Sequence, residues 1–498
     1  MGKSFSTEKA ARFLWGLVLL TLPVTSFRYF PLLGKHTYVR PLAFYPLFAL
    51  YLIFIIRLWR KEIKFVPSGS LLPLLLFLLF ALFASAAGAL QAPLPLRGQS
   101  YWGRVLRAFL TLGIGLAFFL AAIQMHRSMD DLRVSLRWLY AGLFLTFLWV
   151  GVQAIALHTP LLSKAQVSTW QEVFSMRGLT KVRRVSGFAF EASWLAGQIA
   201  TLYLPWLFAS LLVHFRLTKN AWLEPLWLVG ALAVLFLSFS RGGLLIAFLA
   251  AGVTVLVSGK KAIGRGIRWF LPPRDPQLET RQKAKALAQR ILLALLILGI
   301  TFGGISFLSH QKYLTRLWTV DADNLAEYFL KINAGGRFAY LWAETKIFLA
   351  HPFWGTGLGG SGFRLYDQLP DWALTNNPEV TKQLVQTSRI FPNSKNLYLR
   401  LLAETGIIGF SIFMAFLLGI LAQIGDFLRD PQRKLAGVAG LFSFVAIVSY
   451  YLMQDSFAMP ELWINFGIVV GLAMGKSGKT VGSGQSSVDQ RPVDQLTS

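Results

Sequence analysis

The chain has 498 residues, of which 55% are hydrophobic and only 14% charged, and its formal net charge is +26. Ordinary soluble domains contain about 25% charged residues, so this chain cannot bury its apolar surface within one aqueous core. Its apolar runs are long and lack the two-residue alternation of membrane barrels, which predicts helices in lipid. The chain has no cysteine, which excludes disulfides and thiolate chemistry.

Apolar runs of membrane-spanning length recur along the chain. They cover residues 11–27, 42–58, 71–90, 105–124, 135–157, 188–213, 222–239, 242–258, 291–309, 403–424, 436–454 and 460–475. The predicted fold is therefore an all-α integral membrane protein with about 12 transmembrane helices. We interpret the first run as a span because the residues after it make a poor signal-peptide cleavage site.

The distribution of Lys and Arg predicts the orientation. With the N-terminus in the cytoplasm, the basic clusters at 57–64, 127–137, 216–219, 260–290 and 429–434 all lie on the cytoplasmic side, as the positive-inside rule requires. The C-terminus is then cytoplasmic as well. This rule and attraction to anionic lipid account for the net charge, so we expect membrane lipid and no nucleic acid as a partner.

The same orientation divides the chain into five segments. They are an N-terminal transmembrane bundle (1–186), central spans (187–309), a large extracytoplasmic loop with short helices between the ninth and tenth spans (310–402), C-terminal spans (403–475) and a disordered cytoplasmic tail (476–498). A loop as long as the third segment usually carries function. We therefore expect the chemistry on the outer side of the membrane.

Several cations lie on the side that the positive-inside rule disfavours. The first outer loop contains Arg183 and Arg184, and the second contains Arg389 and Lys395. Two interpretations remain open. These residues are solvated loop charges, or they bind an anionic ligand such as a phosphate, for which guanidinium groups provide a bidentate fork.

Arg241 is the most informative of the cations because it lies between two apolar runs of about seventeen residues each. Together these runs are too long for one span, so residues 240–243 are predicted to be the outer tip of a helical hairpin. Glycines beside an arginine at a helix N-terminus suit an anion. The alternative is an interfacial arginine that extends towards water.

Three other side chains have both a structural and a functional interpretation. Glu191 begins a span, where it interacts with the helix dipole, pairs with an arginine or acts as a base. Glu404 follows Arg400 by four residues, which is typical of an ion pair on one helix face. His351 precedes a proline and three glycines and is predicted to cap a helix. No metal-ligand or phosphate-loop spacing is present, so we expect no metal and no cofactor.

Four motifs in order resemble the O-antigen ligase and O-antigen polymerase superfamily of bacterial envelope membrane proteins, over residues 180–425. The motifs are Ser240-Arg241-Gly242-Gly243, then Gly335-Gly336-Arg337 with Trp342, then His351-Pro352-x-x-Gly355-x-Gly357-x-Gly359, and finally Asn393-Ser394-Lys395-Asn396-x-Tyr398 followed by Glu404-x-Gly406. Each motif is weak alone, but their order and spacing are fairly specific.

The resemblance implies an inverting, metal-independent glycosyltransferase at the periplasmic face of the bacterial inner membrane. Its donor is a glycan on undecaprenyl diphosphate. The acceptor is a new lipid-linked repeat unit in a polymerase and lipid A-core in a ligase, and a chain-length regulator is a further expected partner. At the position where the ligases have a histidine this sequence has Lys395, which favours an O-antigen or exopolysaccharide polymerase, with a ligase as the alternative.

For this chemistry we predict that Arg241 and Arg337 clamp the diphosphate, with Lys395 as a further catalytic cation. Glu191 or Glu404 accepts the proton of the attacking hydroxyl. The predicted substrate-binding residues are Arg183, Arg184, Trp342, His351, Arg389, Asn396, Tyr398 and Arg400. The rival from another class is a transporter of lipid-linked oligosaccharides, which the long outer loop and the lack of internal repeats disfavour.

Overall fold

The computed structural model describes residues 7–29, 37–63, 69–179, 184–220, 222–259, 319–332, 334–377, 380–381 and 391–480, with 264, 287, 288 and 291. Across these residues the regular structure is helical and no strand is formed. Three predictions lie outside the described residues: the ninth span (291–309, apart from 291 itself), Arg183 and Arg389. Most of the predicted tail, residues 481–498, also lies outside them.

The first half of the described chain contains ten helices. They are α1 (Thr7–Thr21), α2 (Phe44–Trp59), α3 (Leu72–Ala89), α4 (Tyr101–Met125), α5 (Met129–His158), α6 (Lys164–Phe174), α7 (Ala192–Gln198), α8 (Leu204–Val213), α9 (Leu223–Leu237) and α10 (Arg241–Ser258). A π-helical turn over Ile199–Tyr203 joins α7 to α8.

The described part of the second half contains six more helices. They are α11 (Leu325–Lys331), α12 (Gly335–Ala350), α13 (Asp371–Asn376), α14 (Leu397–Arg429), α15 (Lys434–Tyr450) and α16 (Ile464–Thr480). Short 3₁₀ turns lie at Ser361–Phe363 and Pro460–Leu462. The short helices α11 to α13 fall within the predicted outer loop.

Within the described residues, six helices are long and apolar enough to cross a membrane, counting α7 to α8 as one, and four shorter helices are apolar. This confirms an all-α membrane protein but not the count of twelve spans. Two predicted boundaries differ. Helix α14 begins at Leu397, inside the predicted loop segment 310–402, because Asn396 caps its N-terminus. Helix α16 continues to Thr480, past the predicted start of the tail at 476.

Polar residues in the sequence determine where the helices begin. The side chains of Ser100, Ser240 and Asn396 each accept a backbone N–H from the first turn of α4, α10 and α14. Ser128 and Asp131 form a reciprocal capping box at the start of α5. Such caps provide acceptors for N–H groups that a helix leaves without partners, and each cap stabilises its helix by about 1 kcal/mol.

A buried asparagine stabilises the π-helical turn in the centre of the bundle. Asn465 Nδ2 donates to the Thr201 carbonyl at 2.8 Å and to Ser443 Oγ at 2.8 Å. Its Oδ1 accepts Trp206 Nε1–H at 2.8 Å. A π turn disturbs the regular helical hydrogen bonds, and here a side-chain amide from α16 binds a carbonyl within it. The apolar core therefore contains a polar network in which the side-chain oxygen and nitrogen of Asn465 both have partners.

The glycine-rich segment after α12 packs its backbone directly on α14. Thr356 N–H donates to the Ala403 carbonyl at 2.9 Å and Gly357 N–H to the Glu404 carbonyl at 2.8 Å. Helix α14 is kinked at Gly406, where φ is 61°. A Cβ at Gly406 would overlap the backbone of Phe353. Glycine is required here for both the left-handed conformation and the close approach.

We predict that Gly406→Ala lowers stability by about 2 kcal/mol, because the new methyl group strains the backbone and separates the 353–357 segment from α14. The matched control is Gly419→Ala in the same helix, where a Cβ meets open space. The control is expected to be neutral or stabilising by up to about 1 kcal/mol. Thermal denaturation of the detergent-purified proteins measures both, and equal midpoints for the two variants would contradict the packing argument.

Candidate active site

The two arginines predicted as a clamp lie beside the same turn, which follows α15. Arg337, exposed in the first turn of α12, donates through Nη1 to the Met453 carbonyl at 3.5 Å. Arg241 is the first residue of α10, and a Cβ on its neighbour Gly242 would lie 2.6 Å from Met453 Sδ. Arg241 Nη2 also donates to the Ile332 carbonyl at 3.3 Å. The tertiary structure thus brings the tip of the α9–α10 hairpin and the start of α12 together at Met453.

Lys395 joins this cluster from the segment before α14. Its Nζ lies 5.2 Å from the centre of the Tyr340 ring, and its backbone φ is 54°, in the left-handed region that non-glycine residues seldom adopt. Burial, and after it the nearby Arg337 guanidinium, lowers the pKa of Lys395 to about 8. Such a backbone conformation is often found at functional sites.

Asp455 connects the Lys395 segment to a large cavity. Its Oδ2 accepts the Lys395 backbone N–H at 3.3 Å and Ser394 Oγ–H at 3.5 Å, and the residue is buried. Arg400 Nη1 donates to the Asp455 carbonyl at 2.6 Å. The carboxylate also lines the cavity. Asp455 therefore stands between the cations around Met453 and the cavity.

A pair of buried carboxyl groups lies where α12 meets α14. Ser361 Oγ is 3.1 Å from Glu344 Oε1 and 3.3 Å from Glu404 Oε1. Arg400 Nε donates to Glu404 Oε2 at 3.0 Å, which confirms the predicted ion pair one turn apart. Ser361 has one proton to donate, so both contacts are hydrogen bonds only when one of the two carboxyl groups is protonated. Burial first, and then the neighbouring Glu404 charge, raises the pKa of Glu344 well above its usual value.

A cavity of about 1130 Å³ opens among the helices on the far side of Asp455. Arg400 and Glu404 are the predicted site residues on its wall, and Arg241, Arg337 and Lys395 are not part of it. The other charged residues on the wall are Arg28, Arg40, Arg104, Arg107 and Asp455. By the predicted orientation, the N-terminal ends of α4 and α14 place this cavity at the outer side of the membrane.

Glu191 immediately precedes α7, and Arg184 contacts the α9–α10 hairpin. Glu191 is half-exposed, pairs with Arg177 at 3.4 Å and accepts the Ser193 hydroxyl. Arg184 Nε donates to the Ser238 carbonyl at 2.8 Å. Arg184 thus ties the first outer loop to the hairpin tip, close in sequence to Arg241, and Glu191 is already held by a cation.

The remaining predicted binding residues have structural contacts. His351 is the C-cap of α12, as predicted, and Asn396 is the N-cap of α14. Tyr398 donates its hydroxyl to the Val448 carbonyl at 2.7 Å. Trp342 is exposed on α12, with Lys346 Nζ 5.6 Å from its ring centre. None of these four lines the cavity.

Sequence reasoning missed Glu344, Asp455, Arg104 and Arg107. Arg107 lies inside an apolar run that was interpreted only as a span, so an arginine there was an available signal. Glu344 and Asp455 carry no such signal, because their partners come from distant segments. Among the described residues, no three His, Cys, Asp or Glu side chains are grouped as metal ligands would be.

The fold and the site define a polytopic helical membrane protein with a cluster of cations and a basic cavity at one end of its bundle. Residues 226–414 match the family model described as O-antigen ligase, which confirms the predicted resemblance over this part of the chain. The matched region includes Arg241, Arg337, Lys395 and Glu404. None of the curated proteins matches the chain.

We predict that Glu344→Gln stabilises the protein at pH 8 by on the order of 1 kcal/mol, because the amide replaces a carboxyl group that must stay protonated. A raised pKa means that the wild-type contribution is complete below the ordinary pKa of 4.5 and is lost as pH rises.

The thermal midpoint, measured from pH 5 to pH 8, should therefore fall less for Glu344→Gln than for wild type. Glu172→Gln, at an exposed position, should follow the wild-type curve. A Gln variant that is less stable than wild type at pH 8 would show that Glu344 is ionised there.

Proposed function

We propose that the protein is an inverting, metal-independent glycosyltransferase that transfers glycan from undecaprenyl diphosphate to a sugar hydroxyl at the periplasmic membrane face. The observation that carries this proposal is the meeting of three motif segments on one turn. Arg337 bonds the Met453 carbonyl, Gly242 packs against the Met453 side chain, and the Lys395 backbone bonds Asp455. These motifs lie far apart in sequence and within the family domain.

The cations suit a diphosphate leaving group. Guanidinium groups bind phosphate oxygens in a bidentate fork, and the Lys395 ammonium adds a compact charge. A diphosphate departs readily once its growing negative charge is stabilised, so catalysis needs positioned cations more than a strong acid. We propose that Arg241, Arg337 and Lys395 supply this stabilisation.

The attacking hydroxyl must lose its proton to a carboxylate. Asp455 and Glu404 both line the cavity. Asp455 lies next to Lys395, whereas Glu404 is already engaged by Arg400 and Ser361. Glu191 is paired with Arg177. We therefore propose Asp455 as the acceptor of the proton, with Glu404 positioning the sugar.

Two observations favour different acceptors, and therefore different functions. A lysine in place of the ligase histidine favours a polymerase, whereas the description of the matched family model favours a ligase. The glycan profile of a deletion strain separates the two. Capped single repeats identify a lost polymerase, and accumulated lipid-linked polymer identifies a lost ligase.

We predict that Arg241→Ala and Arg337→Ala each reduce glycan transfer by about 10²–10³-fold, because each removes a donor aimed at the developing charge. Arg133→Ala, an exposed arginine that pairs with Asp130, is the matched control and should keep full activity. The measurement is formation of new glycosidic bonds by purified protein with lipid-linked substrate. Normal polymer from both well-expressed variants would reject the clamp, and movement of substrate without new bonds would identify a transporter.

We predict a pH dependence that reports Lys395. With a pKa of about 8 the ammonium is mainly charged at pH 7 and loses its proton above pH 8. If the charge binds phosphate, kcat/KM falls at higher pH with an apparent pKa near 8, and Lys395→Arg extends activity to pH 9. A wild-type rate that instead rises through pH 8 would mean that neutral Lys395 acts as a base.

A further inference from the structure

Two arginines face the cavity from one side of α4. Arg104, Arg107 and Thr111 recur at helical spacing and line the same cavity. Helix α4 is 25 residues long, with a mean hydropathy of 2.1, and is among the helices able to span a membrane. Arg104 and Arg107 lie in the first two turns of this helix, where a buried guanidinium is still unfavourable without polar partners. Two such residues, one turn apart, therefore need a compensating interaction.

That interaction is incomplete within the described protein. Arg104 Nη1 lies 3.5 Å from Gln99 Oε1 and its guanidinium stacks 4.0 Å from the Phe391 ring centre. Within the described part of the chain, the buried atoms Arg104 Nε and Arg107 Nη1 have no hydrogen-bond partner. No ion pair within 4.0 Å joins either arginine to a carboxylate of the described residues. Burying a donor without a partner is unfavourable, which favours a ligand that supplies the acceptors.

The rest of the wall fits a glycan that carries an anion. Arg40, which is 5% exposed, and Arg28 face the cavity from the segments next to α2. The wall also carries aromatic rings and small polar groups, a combination that stacks on sugar faces and bonds their hydroxyls. These residues are Tyr29, Tyr38, Tyr45, Trp194, Gln99, Thr111, Asn393 and Ser456. The volume of about 1130 Å³ exceeds the roughly 300–1,000 Å³ typical of small-molecule sites, so an oligosaccharide fits.

The cavity is separate from the proposed donor site. Arg241, Arg337 and Lys395 lie outside its wall, and Asp455 stands between the two groups of cations. A transfer reaction must hold donor and acceptor together, with the acceptor hydroxyl within reach of both the anomeric carbon of the donor and the base. The residues Arg104 and Arg107 also lie outside the matched family domain, so they belong to the N-terminal part of this chain.

We infer that Arg104 and Arg107 form a second oxyanion site, which binds an anionic group of the acceptor glycan and holds its hydroxyl towards Asp455. This inference rests on the proposed function. The shared chemistry is an oxyanion in a guanidinium fork. Its source is either a carboxylate on an acidic sugar or a phosphate of the lipid-linked acceptor.

Binding to the full-length protein in nanodiscs tests the inference without catalysis. The probes are tetragalacturonate, its carboxyl-reduced neutral analogue and farnesyl diphosphate. The variants are Arg104→Gln, Arg107→Gln, their combination, and the control Arg133→Gln. Farnesyl diphosphate is measured in an Arg241→Ala, Arg337→Ala, Lys395→Ala background, so that the cations of the proposed donor site do not contribute.

We expect at least one anionic probe to bind, the double variant to weaken it tenfold or more, and the neutral analogue to bind at least tenfold more weakly. If the double variant loses binding of tetragalacturonate, the natural ligand group is a sugar carboxylate. If it loses binding of farnesyl diphosphate, the group is a phosphate. If the double variant fails to fold, Arg107→Lys replaces it as the test. This variant keeps the positive charge but loses the bidentate fork, so its affinity for the anionic probe should lie between those of wild type and Arg107→Gln.

Two results overturn the inference: neither anion binds, or binding is the same in wild type and in every variant at Arg104 and Arg107. The proposed function is tested by a different measurement, because it predicts that Arg241→Ala and Arg337→Ala lose glycan transfer even where the anionic probes still bind. Unchanged transfer in those variants with intact probe binding would leave the second site in place and reject the donor clamp.

Discussion

The contact between the glycine-rich 353–357 segment and the kink of α14 is the constraint on which the site depends. At Gly406 two backbones approach so closely that no side chain fits between them. Arg400 and Glu404 lie in the turns of α14 just before this kink, and Ser361 follows the glycine-rich segment. Because the backbone contact sets the distance between the two elements, it places Ser361 against both Glu344 and Glu404.

The charged residues at this end of the bundle occur in groups for an electrostatic reason. Ionised groups are costly between apolar helices, so they occur there in groups that compensate one another. Arg400 forms an ion pair with Glu404, and burial beside Glu404 raises the pKa of Glu344, which favours its neutral form. The cations around Met453 and the arginines on α4 concentrate positive charge at this end of the described bundle. Such an excess of positive charge is typical of a protein whose natural ligand is an anion.

Part of the site was predictable because it rests on local patterns. The Ser240 cap, the ion pair of Arg400 with Glu404 and the end of α12 at His351 each involve residues within one helical turn. The family motifs also indicated Arg241 and Arg337. The aromatic and amide side chains were less predictable. Tyr398 and Asn396 are held by backbone groups near Val448 and Leu399, and a motif does not distinguish such contacts from substrate binding.

The sequence by itself determined the class of the protein: helices in lipid, their approximate limits, and a match to the O-antigen ligase family model between residues 226 and 414. Hydropathy and helix caps are local properties, which is why these features are visible in one dimension. Only the tertiary structure decided which charges meet. Asp455 bonds Lys395, 60 residues away, and Glu344 shares Ser361 with Glu404 of another helix. Arg104 and Arg107 acquire their role from a cavity wall assembled by both halves of the chain, and packing alone creates these neighbourhoods.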